Sequence, residues 1–491
     1  MGSGCKKSFL DVNTNPNSLP TATPNYVMTN AMNVTAANML NPNETGQYWS
    51  GQWTQSNGYI LSTTYFSYIY TNGDFNYWDG YYDNLEDYQY VIDNADANKM
   101  SALKGPAKVM KAMLFQQLVD LYGDIPFSDA LKGVGSLAPK FDNQKTVYEG
   151  LITLLDDAIK DIKANPFTTA TAAADITLKG NNTKWVRFAN SLKLRILMHQ
   201  SRIAGRDAYI IPEINKIVTE GSGFIVGEDV GINPGYAPNA GQLNPIYDRW
   251  GYDATGAKRA LNNYPRLTKF FVDMLKSTND TFRLKRLGYA LGGESGSNPG
   301  KSVNAELASN YAGIPFGVSS GFLPSAASAP GPSIIVKGRY NDNFIILTAT
   351  EIQFDLAEAK QRYGAAVNLT GTAQSYYNEG INQSFRLLGA DQSKAAELQN
   401  SGINNVDFAA STDKLAAIAT QKWIAEANFQ GLEAWTEYRK SNLPVTPQTP
   451  QVTSTDRPLR VYVPNTESAS NGANVPTGID ALKTRIFWDV D

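Results

Sequence analysis

Cysteine and histidine are almost missing from these 491 residues: Cys5 and His199 are the only ones. A single cysteine excludes internal disulfides and Cys-x-x-Cys metal knuckles. A single histidine excludes multi-histidine zinc sites such as His-Glu-x-x-His. Charge is scarce as well. Asp, Glu, Lys and Arg make up 18% of the chain, and 43 basic against 46 acidic residues leave a net charge of −3. No basic surplus is left over to neutralise phosphates, which argues against nucleic acid as a partner. Long hydrophobic runs are missing too. Runs such as Phe344–Leu347 are strand-sized, far short of the ~20 apolar residues of a membrane-spanning helix.

What is present is an apolar fraction of 42%, enough for a sizeable interior, and an aromatic fraction of 11% that includes 26 Tyr and 8 Trp. At ~100–200 residues per domain, the length allows roughly three domains or one large core with long insertions. With so few charges, the surface must be dressed with neutral Asn, Gln, Ser, Thr and Tyr. Such a surface suits a neutral, polyhydroxylated partner.

Cys5 stands directly behind Ser3-Gly4, the small-residue context in which a lipoprotein signal peptidase exposes a cysteine for acylation. We expect Cys5 to be lipidated and Met1–Gly4 to be a processing remnant. Asn13, Asn15, Asn17, Pro16, Pro20 and Pro24 then predict an extended stretch over Ser8–Tyr26. Residues 1–25 read as a flexible lipid-anchored tether and 26–491 as a single domain.

Helical periodicity dominates the remainder. Val109, Met110, Met113, Leu114 and Leu118 form one stripe within Ala107–Tyr122, and Val147, Leu151, Leu155 and Ile159 another within Val147–Ile162. Trp185, Phe188, Leu192 and Ile196 mark a third. Further helices are predicted around Ile352–Tyr363 and Tyr377–Leu388, and a long one capped by Ser411 carries Leu415 through Leu432. Sequential pairs of this size predict a mostly α fold, with tetratricopeptide-like hairpins forming a scaffold over mainly 79–220 and 345–442. Between about Gly221 and Gly338 the period collapses into Gly, Pro, Asn and Ser, with short helices only around Pro265–Lys276 and Asp280–Leu287. That loop-rich insertion, about 221–340, is expected to be the ligand-facing region.

Several catalytic-looking motifs fail on chemistry. Gly317-Val318-Ser319-Ser320-Gly321 fits a nucleophile elbow, but the only histidine lies upstream on a helical pattern. Gly133-Val134-Gly135 resembles a dinucleotide loop, but Pro139 follows where a helix should run. Ser295 through Lys301-Ser302 misses a phosphate-binding loop at its first position. Glu351, Asp355 and Glu358 line one helix face, as a hydrolase pair would require, yet pairing with Arg or Lys from a neighbouring helix is the simpler account. Asp74, Asn76 and Asp79 have calcium-binding chemistry but fit no complete calcium loop, so a turn is expected.

Aromatic clusters survive this pruning. Trp53, Tyr59, Tyr70 and Phe75, next to Asn72 and Asp74, form one group; Tyr247, Trp250 and Tyr252, next to Asp248, form a second in the irregular segment. Ring faces beside amides and carboxylates match what a sugar offers, since C–H faces stack and hydroxyls need polar partners. These ten residues are the predicted ligand site. A sugar face burying ~60 Å² on one ring at ~25 cal/mol/Å² gains about 1.5 kcal/mol. Two or three such platforms give about 3–4.5 kcal/mol, near the ~4 kcal/mol of a millimolar complex.

Ordered short motifs run along almost the whole chain. They include Trp78 with Tyr81-Tyr82, Tyr122-Gly123-Asp124-Ile125-Pro126-Phe127, Asn244-Pro245-Ile246-Tyr247 and Tyr311-Ala312-Gly313-Ile314-Pro315-Phe316-Gly317. Glu351 with Phe354, Gln421-Lys422-Trp423, Glu433-Ala434-Trp435, Tyr438-Arg439, Arg460 with Tyr462, and Phe487-Trp488-Asp489 follow. In this order the sequence resembles the SusD/RagB-type nutrient-binding lipoproteins of Bacteroidetes outer membranes, in their SusD-like branch. The resemblance implies a cell-surface, lipid-anchored protein of the outer membrane that captures oligosaccharides for a SusC-type TonB-dependent transporter. It implies no catalysis and no organic cofactor, leaving a structural calcium ion as the one open alternative. It also implies that Trp78, Trp423 and Trp435 are scaffold, and it transfers no ligand residue. Two rival functions are a glycoside hydrolase using an Asp/Glu pair and a peptide-binding helical-repeat scaffold.

Overall fold

The computed structural model describes residues 22–57, 62–292 and 304–490. Cys5, most of the predicted tether and the Ser295–Ser302 motif lie outside the described residues. The first element is a 26-residue helix, Pro24–Trp49. Pro24, expected to oppose helix, instead starts one, because at the first helical position its missing N–H is not needed. Met28, Ala31, Met32, Thr35, Ala36 and Met39 recur at helical spacing and are all buried.

The scaffold is a series of helical hairpins, as the periodicity predicts. Trp78–Asn94 pairs with Lys104–Tyr122, and Gln144–Ala164 with Asn182–His199. Ala349–Tyr363 pairs with Ala373–Leu388, and Lys414–Glu426 with Gly431–Ser441. Successive pairs stack, and the Pro24–Trp49 helix packs on both Trp78–Asn94 and Gly431–Ser441, joining early and late parts of the array. Its crossing with Gly431–Ser441 is closed by two glycines: a Cβ on Gly46 would fall 2.0 Å from the Gly431 carbonyl oxygen. Only glycine allows so near an approach of two backbones.

The long helix predicted from Ser411 is two helices. Asp413, not Ser411, caps the first, its side chain accepting the N–H groups of Leu415 and Ala416. The break falls at Asn428, whose φ of 73° is left-handed and suits an asparagine.

The interior between these helices is ionic as well as apolar. Glu351, Asp355 and Glu358, on one face of Ala349–Tyr363, are met by Arg195, Lys422 and Lys440 respectively, all essentially buried. Arg362 adds a second partner to Glu358 at 2.7 Å. Ion pairing, not exposed acid–base chemistry, therefore accounts for these carboxylates. His199 is buried between Glu433 on Nε2 and Tyr148 on Nδ1 (3.0 Å). It cannot serve Ser319.

The loop-rich segment is stitched to the scaffold by two small antiparallel sheets. Trp53–Gln55 pairs with Pro265–Leu267, placing Trp53 opposite Leu267. Val230–Ile232 pairs with Phe344–Leu347, placing Ile232 opposite Phe344. Lys269–Ser277 and Thr281–Leu287 are helical, close to the predicted positions.

Candidate functional site

All eight tryptophans are buried, none more than 3% exposed. This overturns the display predicted for the aromatic groups. Trp53 gives its indole N–H to Asn428 Oδ1 at 2.9 Å. Trp250 meets Trp53 edge-on, centroids 5.3 Å apart and planes at 88°. Trp250 sits in a π-helical turn, Tyr247–Gly251, that turns it inward. Tyr247 and Tyr252 are buried with it, and the Tyr247 hydroxyl accepts the Gly338 N–H at 3.1 Å.

In the other group, Tyr70 is buried and donates to the Arg460 carbonyl at 2.9 Å. Half-buried Phe75 lies edge-on to Trp49 and Tyr70. Trp53, Tyr70, Tyr247, Trp250 and Tyr252, with half-buried Phe75 packed against them, are thus corrected from display platforms to core. Each gains more by burying its whole ring against other rings than by leaving one face in water. Tyr59 lies outside the described residues. Asn72, Asp74 and Asp248 reach the surface. Asp74 is occupied by the Thr71 N–H and hydroxyl (2.9 and 3.1 Å), and Asp248 pairs with Arg259.

Asn76 and Asp79 bond each other, Asn76 Nδ2 to Asp79 Oδ2 at 2.7 Å and the Asp79 N–H to Asn76 Oδ1 at 3.3 Å. These bonds hold the turn that opens the Trp78–Asn94 helix. Among the described residues, no group of three His, Cys, Asp or Glu side chains is placed to hold a metal ion.

Three surface hollows deserve comparison. The one beside Asp248, about 620 Å³, is lined by Leu40, Leu243, Pro245 and Leu261 with Arg249 and Arg259, and no described aromatic side chain lines it. Arg249 is engaged by Glu44 at 2.6 Å. Another, about 400 Å³, holds Tyr70 and Asn72 from the predicted site, with Tyr462 and Ser468 beside them. The last, about 450 Å³, lies on the other side of the short Asn465–Asn471 helix.

That last hollow combines rings with polar groups. Its floor is Trp78 and half-buried Tyr82, tilted against each other at 4.8 Å. Phe141 stacks beneath Trp78 at 5.6 Å, and the Tyr82 hydroxyl is fixed on the Pro126 carbonyl at 2.7 Å. Leu131, Leu137 and Pro139 supply an apolar rim. Leu131 holds a φ of 61°, a strained conformation for a leucine, in the loop that forms this rim. Thr466, Glu467 and Ser470 supply the opposite wall, where the Thr466 hydroxyl donates to Asp79 at 2.8 Å.

Asp79, Tyr82, Asp83 and Glu86 come from one face of the Trp78–Asn94 helix, at i, i+3, i+4 and i+7. This stripe is visible in the sequence, where Trp78 reads as scaffold and Tyr82 only as part of the Trp78 motif. Burial, followed by the carboxylates of Asp93 and Asp83, raises the Glu86 pKa above the ordinary value; Lys111 offsets this only in part. Rings beside carboxylate and hydroxyl oxygens can stack an apolar face and accept hydrogen bonds from hydroxyls.

The fold and this face define a tetratricopeptide-like helical scaffold with loop-built surface hollows. Residues 16–464 match the profile of the SusD-like family, described as starch-binding and associating with the outer membrane, and the chain belongs to that family. Among solved structures, a chitin-binding protein aligns with a TM-score of 0.75 at 22% identity, over 96% of this chain and 100% of its own. A chitin-binding SusD homologue from Flavobacterium johnsoniae gives 0.70 at 22% identity, over 94% and 99%. A SusD homologue from Bacteroides fragilis gives 0.74 at 21% identity, over 96% and 99%. These likenesses establish the fold. No curated protein is significantly similar to the chain.

Proposed function

We propose that the protein is a cell-surface glycan-binding lipoprotein, anchored through Cys5, that takes up oligosaccharides without cleaving them and passes them to a SusC-type TonB-dependent transporter. Membership of a starch-binding, outer-membrane-associated family supports the class, and two structural relatives described as chitin-binding support the ligand type. No helix among the described residues is long and apolar enough to cross a membrane, so in this reading the attachment is by lipid. An acyl chain contributes about 0.8 kcal/mol per buried CH₂, and several on one cysteine suffice to hold a domain at a bilayer.

The observation that carries the site assignment is the Tyr82–Trp78 floor bordered by Asp79, Thr466 and Ser470. A sugar stacks on the Tyr82 face while its hydroxyls donate to the carboxylates and exchange bonds with the two side-chain hydroxyls. One ring of this kind gives about 1.5 kcal/mol, so binding is weak per residue and grows with chain length. Titration with a panel of soluble oligosaccharides, with reducing-end release monitored in parallel, tests the reading. Millimolar or tighter binding without turnover is expected; release of reducing ends would return the hydrolase alternative.

A further inference from the structure

The Asn465–Asn471 helix is a wall shared by two hollows. Thr466 and Ser470 line the Tyr82 hollow of about 450 Å³, and Ser468 lines its neighbour of about 400 Å³. Both volumes fall in the ~300–1,000 Å³ range of small-molecule sites. The neighbour has the same ground plan as the Tyr82 hollow. Its platform is half-buried Tyr462, tilted against Tyr70 at 5.7 Å and 57°. The Tyr462 hydroxyl accepts the Ala481 N–H at 3.3 Å, much as the Tyr82 hydroxyl is held on the Pro126 carbonyl, so each ring is fixed at its hydroxyl edge. Val475, Pro476 and Ile479 supply an apolar rim. Asn72 and Ser468 supply polar groups, and neither side chain is hydrogen-bonded to any described residue. No described Asp, Glu, Lys or Arg lines this hollow, so a ring face and neutral hydrogen-bonding groups are what it offers a ligand.

The ridge between the hollows is narrow and held in place. The Asn465 N–H donates to the Asn72 carbonyl at 2.9 Å and the Thr466 hydroxyl to Asp79 at 2.8 Å, tying the start of the helix to both ends of the 72–79 turn. Asn465 and Ala469, both exposed and uncharged, form its crest. A helix with its side chains is about 10–12 Å across. A single sugar ring lies on one side of such a ridge, whereas a chain of several linked units reaches both.

We infer that the Tyr462 hollow is a second subsite, and that one extended oligosaccharide fills both hollows by crossing the Asn465–Asn471 ridge. A sugar stacked on Tyr462 exchanges hydrogen bonds with the free Asn72 amide and Ser468 hydroxyl. Joining two weak contacts through one ligand makes the second contact intramolecular, which raises affinity above that of either hollow alone. This rests on the proposed glycan-binding reading and narrows the ligand to chains long enough to span the ridge.

The test titrates the full chain with a length series of one neutral glycan, from disaccharide to octasaccharide. Affinity is expected to change little among the shortest members and to rise about tenfold or more once the chain lies in both hollows. Tyr462→Ala is expected to return the octasaccharide to near the disaccharide level, while disaccharide affinity changes by about twofold at most. Asn72→Ala, at an exposed position away from the core, should lower octasaccharide affinity about threefold or more at an unchanged melting temperature. An affinity that stays level along the series overturns the inference and leaves the Tyr82 hollow as a lone site. A long-chain gain that neither variant reduces also overturns it, because the added units would then lie elsewhere. Binding of no member of the series overturns the glycan reading itself.

Discussion

Trp250 stands edge-on to Trp53, ring centroids 5.3 Å apart and planes at 88°, and both are almost fully enclosed. The contact joins the π-helical turn of the loop-rich segment to the first strand, so it fastens that segment to the scaffold. Trp250→Ala is expected to cost about 3–5 kcal/mol, the usual loss for emptying a buried aromatic site. Urea unfolding measures it. Glycan affinity of the remaining folded protein should stay unchanged.

Arg195 and Glu351 bridge two hairpins, Nη2 to Oε2 at 2.6 Å, with both side chains at 1% exposure or less. Removing Glu351 leaves the buried Arg195 only the longer pairing with Glu433 at 3.6 Å, so Glu351→Ala should destabilise by about 3 kcal/mol. Replacing both with apolar residues of similar volume should recover much of that loss. Chemical denaturation of the single and double variants separates pair energy from desolvation.

Glu426 lies in the same ionic interior, but neither of its carboxylate oxygens accepts a hydrogen bond, and Lys422 Nζ stands 4.0 Å away. Burial, then the carboxylates of Glu433, Glu351 and Glu437, drive its pKa well above 4.5 against the pull of Lys422. A folded-state pKa above the unfolded one means the stabilisation is complete below about pH 4.5 and is lost as pH rises towards the folded value. Glu426→Gln keeps the shape without the titration. We expect it to hold or raise stability at pH 7 and to flatten the decline above pH ~4.5. An unchanged slope would exclude Glu426 as its source.

The close approach of Gly46 to Gly431 predicts a steric lesion. A Cβ on Gly431 would fall 2.0 Å from the Asn43 carbonyl oxygen. Gly431→Ala must push the first helix away from Gly431–Ser441, and a loss beyond the ordinary ~1 kcal/mol of a point change is expected. Thermal melting measures it, and hydrogen exchange should show the extra opening in Pro24–Trp49.

The scaffold was legible because burial on one side of a helix imposes a period, which Val147 through Ile159 keep strictly, while Lys104–Tyr122 is buried nearly all round and was legible from its larger apolar side chains alone. The Pro24–Trp49 helix was overlooked because its buried stripe is built of Met, Ala and Thr among many Asn residues, with a proline at its start. The partners of Glu351, Asp355 and Glu358 were expected as a class, but only the packing identifies Arg195, Lys422 and Lys440. The ligand face was misread for a physical reason. A tyrosine or tryptophan in a turn looks alike in sequence whether its ring faces water or another ring, and the mutual contacts of Trp53, Trp250, Trp49 and Phe75 decide it. The stripe Asp79, Tyr82, Asp83 and Glu86 is legible from its helical spacing, but Thr466 and Ser470 come from a segment nearly 400 residues away.

The hollow over Tyr82 is tested most directly by filling it. Ser470, exposed on the wall of the hollow, can be replaced by tryptophan without disturbing the core, and calorimetric titration with a neutral oligosaccharide compares Ser470→Trp with the native chain. Millimolar or tighter binding by the native chain, reduced about tenfold or more in the filled variant at an unchanged melting temperature, is the predicted result. Equal affinity in both proteins would contradict the assignment of the site.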